Sequence, residues 1–147
     1  MKFLVCRGND LLSMAVQFRV AGRWSHVALV HEDGVQAIEA VYPWVRRTTV
    51  AAIQAAHSRT ILRELATPND AAAWAWALGT VGDDYDLGAL FGIALDRDWT
   101  TPGRWFCAEH LACAAAAAGR PLVQPGLVHA VYPPFWAMIA QGSRKAI

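Results

Sequence analysis

Residues 25–41 read SHVALVHEDGVQAIEAV, and the fold turns on how this stretch pairs with itself. Two runs rich in β-branched and apolar residues, 25–31 and 35–41, flank Glu32, Asp33 and Gly34. Asp-Gly between such runs predicts a β-hairpin, because the tight turns that suit strand twist need positive φ. The loop length then decides which side chains share a face, since a slip of one residue inverts a strand. A two-residue loop at Asp33-Gly34 sets Ala28 opposite Glu39, and a four-residue loop sets His26 opposite Glu39. Either way Glu39 lies on the His26 face, within reach of its imidazole. A three-residue loop would part them, and Asp-Gly favours the even-numbered case.

Outward from the hairpin, residues 2–6 predict a short strand. Asn9 and Asp10 then open a helix to about Arg19 that Gly22 closes. A third strand is expected over 58–65. Thr67-Pro68 predicts a helix to about Leu78, with the threonine as cap and the proline at the first helical position. Residues 86–95 read as a helix weakened by Gly88 and Gly92. The strongest helix signal is 106–118, where alanine dominates and Gly119 with Pro121 ends the run. A short helix over 134–140 follows Tyr132-Pro133-Pro134. Early strands with helices on both sides of them imply an α+β domain spanning 1–147.

Composition narrows the function. A chain of 147 residues with 55% hydrophobic residues and seven tryptophans is not a disordered one. The net charge is +1 and no basic stripe tracks a phosphate backbone, so no nucleic-acid partner is expected. Charged residues interrupt every apolar run, which argues against a membrane span. The apolar start MKFLVC is cut short by Arg7, Gly8, Asn9 and Asp10, unlike a signal peptide, and the expected compartment is the cytoplasm.

Three cysteines without a CxxC pair fit neither a disulfide framework nor a zinc knuckle. Cys6 and Cys113 read as small buried hydrophobes. Cys107 differs because it opens the alanine-rich helix, where unpaired backbone N–H groups and the helix dipole favour a thiolate and offer donors to an oxyanion. His26 is the natural base. A carboxylate at Glu39 would fix its tautomer and stabilise the imidazolium formed on deprotonating Cys107. His110, three residues after Cys107, leaves little room for a substrate between base and nucleophile. His31 alternates to the other face from His26, and His57 and His129 sit in loop-like contexts with no partner in view. A metal held by His26, His110 and Cys107 does not follow a known ligand spacing, so no metal or cofactor is expected. Tyr85, in a Gly/Asp-rich turn, carries an O–H able to donate to an oxyanion.

Three patches together, WSHVALVHEDGVQAIEA (24–40), GDDYDLGAL (82–90) and WFCAEHLACAAAAAG (105–119), resemble the YiiX-like, circularly permuted branch of the NlpC-type cysteine hydrolases. In that branch the histidine strand precedes the cysteine helix. The resemblance implies a permuted papain-like fold, with an antiparallel sheet against helices. It makes His26 the base, Glu39 its orienting residue, Tyr85 the cleft tyrosine and Cys107 the nucleophile. Ala108 departs from the serine usual after the cysteine. Cys-Ala-Glu-His is also similar, offset by one residue, to the Cys-Glu-His of lecithin:retinol acyltransferase-like relatives. The expected activity is thus a cysteine peptidase or amidase attacking an amide, ester or thioester carbonyl of a small peptide or acyl substrate. A lipid acyltransferase or thioesterase, and a non-catalytic binding module on the same fold, are the alternatives. The oligomeric state is left open.

Overall fold

The computed structural model describes the chain except for residues 10–12, 15–16, 19–21, 90–100, 125–126, 128–129 and 140–147. It is an α+β structure built on a seven-stranded, mostly antiparallel sheet. The strands are β1 (Lys2–Arg7), β2 (His26–Val30), β3 (Gln36–Val41), β4 (Trp44–Thr49), β5 (Arg59–Glu64), β6 (Asp84–Tyr85) and β7 (Arg104–Trp105). Their order across the sheet is β5-β1-β2-β3-β4-β6-β7, parallel only between β6 and β7. The helices are α1 (Val50–Ala56), α2 (Asp70–Gly79), α3 (Cys107–Ala117) and α4 (Pro133–Ile139).

The β2–β3 hairpin keeps the register expected of a two-residue loop, with Leu29 opposite Ile38 and Val30 opposite Ala37. The loop itself is longer. His31 N–H donates to the Gln36 carbonyl at 2.9 Å and Gly34 N–H to the His31 carbonyl at 3.0 Å, with Gly34 at φ +72°. The Asp33 carboxylate accepts from the backbone N–H of Val35 and Gln36. Loop lengthening by one residue on each side leaves the register intact, so four loop residues coexist with the Ala28–Glu39 alignment.

Alternation sorts the sheet residues into two cores. Phe3, Val5, Val27, Leu29, Ile38, Ala40 and Val45 form one buried face, shared with residues of α2, α3 and α4. The other holds Leu4, Cys6, Ala28, Val30 and Ala37, closed by Ile53 of α1. β2 is therefore buried on both faces, which explains its unbroken apolar run. The alanines of α3 let it approach the sheet closely: Ala108, Ala112, Ala114 and Ala115 are all buried. Trp136 of α4 donates its indole N–H to the Ala108 carbonyl at 3.2 Å, tying down the first turn of α3. Gly119, at φ +81°, ends that helix as expected.

Several expectations need correction. The cap of α2 is Asn69, whose side chain accepts from Ala72 N–H, while Thr67 bonds the Asp70 carboxylate instead. Asparagine caps at least as well as threonine, so the helix starts two residues later. β4 and α1 were not anticipated: β4 buries Val45 alone, and α1 buries Ile53 alone, so neither shows a periodic apolar pattern. Cys113 is half-buried rather than buried. Of the helix expected after Asn9, the described residues Ser13, Met14, Gln17 and Phe18 are helical and the rest lies outside the described residues. Leu87–Ala89 are likewise helical, beginning at Asp86, whose carboxylate accepts from Ala89 N–H, and the remainder of that helix falls outside.

Candidate functional site

His26 is the first residue of β2 and pairs across the sheet with Cys6 of β1. Its alternation places it on the Cys6 and Ala28 face. Glu39 emerges from β3 on that same face, diagonal to it in the hairpin. His26 Nε2 lies 2.7 Å from Glu39 Oε2, and both residues are buried. An ionised carboxylate only accepts, so Nε2 carries the hydrogen and Nδ1 is the nitrogen left to face another group.

The other carboxylate oxygen is held too. Arg46, directly opposite Glu39 in the β3–β4 ladder, donates from Nε at 3.0 Å and Nη2 at 2.8 Å to Glu39 Oε1. Sequence reading missed Arg46. The signal was Tyr42-Pro43: Val41 and Trp44 pair across this two-residue turn, and counting back from it sets Glu39 against Arg46. Burial pushes the Glu39 carboxyl up, but the hydrogen bonds and charges of His26 and Arg46 outweigh it and bring it down to about 2.

Cys107 is the first residue of α3. Phe106 serves as N-cap and supplies no side-chain bond, so the first-turn N–H groups lack a side-chain acceptor. The thiol lies near enough to the imidazole to shift its pKa. Burial alone would lower the His26 pKa, yet hydrogen bonding to Cys107, then to Glu39, with the charges of both, carries it up to about 10. Pairing wins over desolvation here because a carboxylate and a thiol flank one ring.

No protein-family model and no curated protein matches this chain.

Tyr85 reaches the site through the parallel β6–β7 pairing, which aligns Tyr85 with Trp105, two residues before Cys107. Burial first, then the charges of Cys107 and Asp86, raise its pKa, so the phenol keeps its proton. The sheet thus joins His26 to Glu39, and Cys107 lies near enough to His26 and to Tyr85 to shift the pKa of each.

The other histidines diverge. His110 points away from the site, its Nε2–H donating to Thr80 Oγ1 at 2.8 Å while Trp76 and Trp105 enclose the ring. It cannot join His26 and Cys107 around a metal. Among the described residues no group of three or more His, Cys, Asp or Glu is arranged to hold a metal ion. His31 contacts Trp74 and pairs with Asp33. His57 was expected to lack a partner, but its ring stacks on His26 with centroids 5.3 Å apart and planes 5° from parallel. His129 lies outside the described residues. Cys6 sits beside the site as a protonated thiol, raised by burial and then by the charges of Glu39 and Cys107.

Proposed function

We propose that the protein is a cysteine hydrolase of peptidase or amidase type, acting through Cys107, His26 and Glu39 on a permuted papain-like fold. The observation that carries this reading is the buried Glu39 Oε2 on one ring nitrogen of His26 at 2.7 Å, with Cys107 near enough to the same imidazole to raise its pKa. In this reading His26, kept protonated at neutral pH by its raised pKa, already holds the Cys107 proton on Nδ1, and the sulfur attacks the substrate carbonyl carbon. The resulting oxyanion is steadied by the Cys107 backbone N–H and the Tyr85 O–H. As the intermediate collapses, His26 returns its proton to the leaving amine or alkoxide, and a thioester forms on Cys107. Water, deprotonated by His26, then attacks the thioester and releases the acid, restoring the thiol.

The acyl-lipid alternative called for exposed apolar side chains around the cleft. Trp105 and Phe135 instead pack against the core, and Trp99 lies outside the described residues. Among the described residues no helix is long and apolar enough to cross a membrane. A peptide, amide or other small acyl substrate is the better fit.

Site-resolved mass spectrometry with a panel of acyl and peptidyl thiol-reactive probes tests the reading. Cys107 should carry the adduct at neutral pH. Cys113 should lag, because burial and the Glu109 charge push its thiol up to about 11, and Cys6 is held protonated in the same manner. Equal labelling of the three cysteines would overturn the assignment. An unreactive Cys107 would instead favour the binding module.

A further inference from the structure

We infer that His57 is a positioning residue for His26, an inference that rests on the proposed role of His26 as base. The argument starts with Ile53, the one buried side chain of α1, which locks that helix onto Leu4, Cys6, Ala28, Val30 and Ala37. Four residues later the chain leaves the helix at His57, in extended conformation with φ −123°. His57 Nδ1–H donates to the Ile53 carbonyl at 2.8 Å, so the ring is fixed by the same residue that anchors the helix. Its plane lies 5° from that of His26, at a centroid separation of 5.3 Å.

His26 needs this support. Its bond to Glu39 fixes where Nε2 points but leaves the ring free to pivot about that bond. A flat ring stacked on one face removes the pivot and holds Nδ1 toward Cys107. The groups facing His26 are then Cys6 from β1, Glu39 from β3 with Arg46 behind it, Cys107 from α3 and His57 from α1. Of these, His57 contributes neither the proton path nor the carboxylate. It contributes the plane.

The test is Cys107 alkylation by iodoacetamide, followed site by site against pH in His57→Ala, His57→Gln and His57→Phe. Gln restores a donor to the Ile53 carbonyl without a ring, and Phe restores the ring without the donor. Ala and Gln should slow labelling at neutral pH about three- to tenfold, the range an aromatic pair supplies. Phe should recover most of the loss. The difference should vanish near pH 10, where an unaided thiol with a pKa of about 8.5 ionises without a base. A merely structural role would lower the rate at every pH or only the melting temperature. Wild-type labelling in Gln, or labelling of Phe as slow as that of Gln, overturns the proposal. If Cys107 of the unsubstituted chain takes no label, the hydrolase reading fails. The His26 ring nitrogen chemical shifts then decide the positioning role, and identical shifts in His57→Gln overturn it.

Discussion

His26 and His110 are both buried imidazoles within a few residues of a cysteine or across from one, and their surroundings send them in opposite directions. His26 stands between a carboxylate and a thiol, and its pKa rises to about 10. His110 has two tryptophans and a threonine hydroxyl, and burial alone brings it down to about 4. Desolvation acts on both. The difference is that Glu39 and Cys107 repay it for His26, whereas neutral partners leave it unopposed for His110. Proximity in sequence is a poor guide: His110 shares a helix with Cys107, yet the histidine that meets the thiol comes from a strand 81 positions earlier.

The sharpest way to break this contrast is to remove each imidazole and read the same thiol. Cys107→Ala should abolish labelling by an acyl probe, and His26→Ala should lower it by a factor of about 10², the scale of general-base assistance. His110→Asn should leave the labelling rate unchanged. If His110→Asn abolishes labelling and His26→Ala does not, the base is on the helix.

Glu39→Gln should fall between these limits, slowing labelling less than His26→Ala does, because members of such a unit do not contribute equally. The amide still accepts from Nε2–H but does not neutralise the imidazolium. The same variant sharpens the acid behaviour. Glu39 drops from an ordinary 4.5 to about 2 on folding, so its stabilising share is present above 4.5 and is lost as pH falls through about 2. Thermal unfolding over that window should show the wild type losing more stability than Glu39→Gln.

For His110 the sign is the same, in a higher window. The folded state binds this proton more weakly than the unfolded chain, with about 4 against an ordinary 6.5, so stability should fall as pH drops from 6.5 toward 4. His110→Asn should cost about 1–3 kcal/mol at neutral pH through the lost Thr80 bond and should flatten this slope. Denaturant titrations at two pH values measure both.

The smallest effect is expected at Arg46. Its side chain is 51% exposed, and solvent screening limits what it adds to Glu39. Arg46→Gln should therefore cost no more than about 1 kcal/mol, with labelling slowed less than in Glu39→Gln. A larger loss would mean that Arg46 also orders the β3–β4 hairpin.

Much of this arrangement was legible in the chain because it is written in local patterns. Alternation and Asp33-Gly34 determine that His26 and Glu39 share a face, since the strand period is two and an even loop preserves it. The alanines up to Gly119 determine that Cys107 heads a helix, because helix start and stop depend on neighbours a turn away. Only the tertiary structure decides that Arg46 closes the second oxygen of Glu39 and that His57 lies flat on His26. β4 buries Val45 alone and α1 Ile53 alone, so neither leaves an apolar period to read. The meeting of Cys107 with His26 is of the same kind. It depends on α3 crossing β2 and β3 and on Trp136 holding its first turn, contacts between residues far apart in sequence that no local spacing encodes.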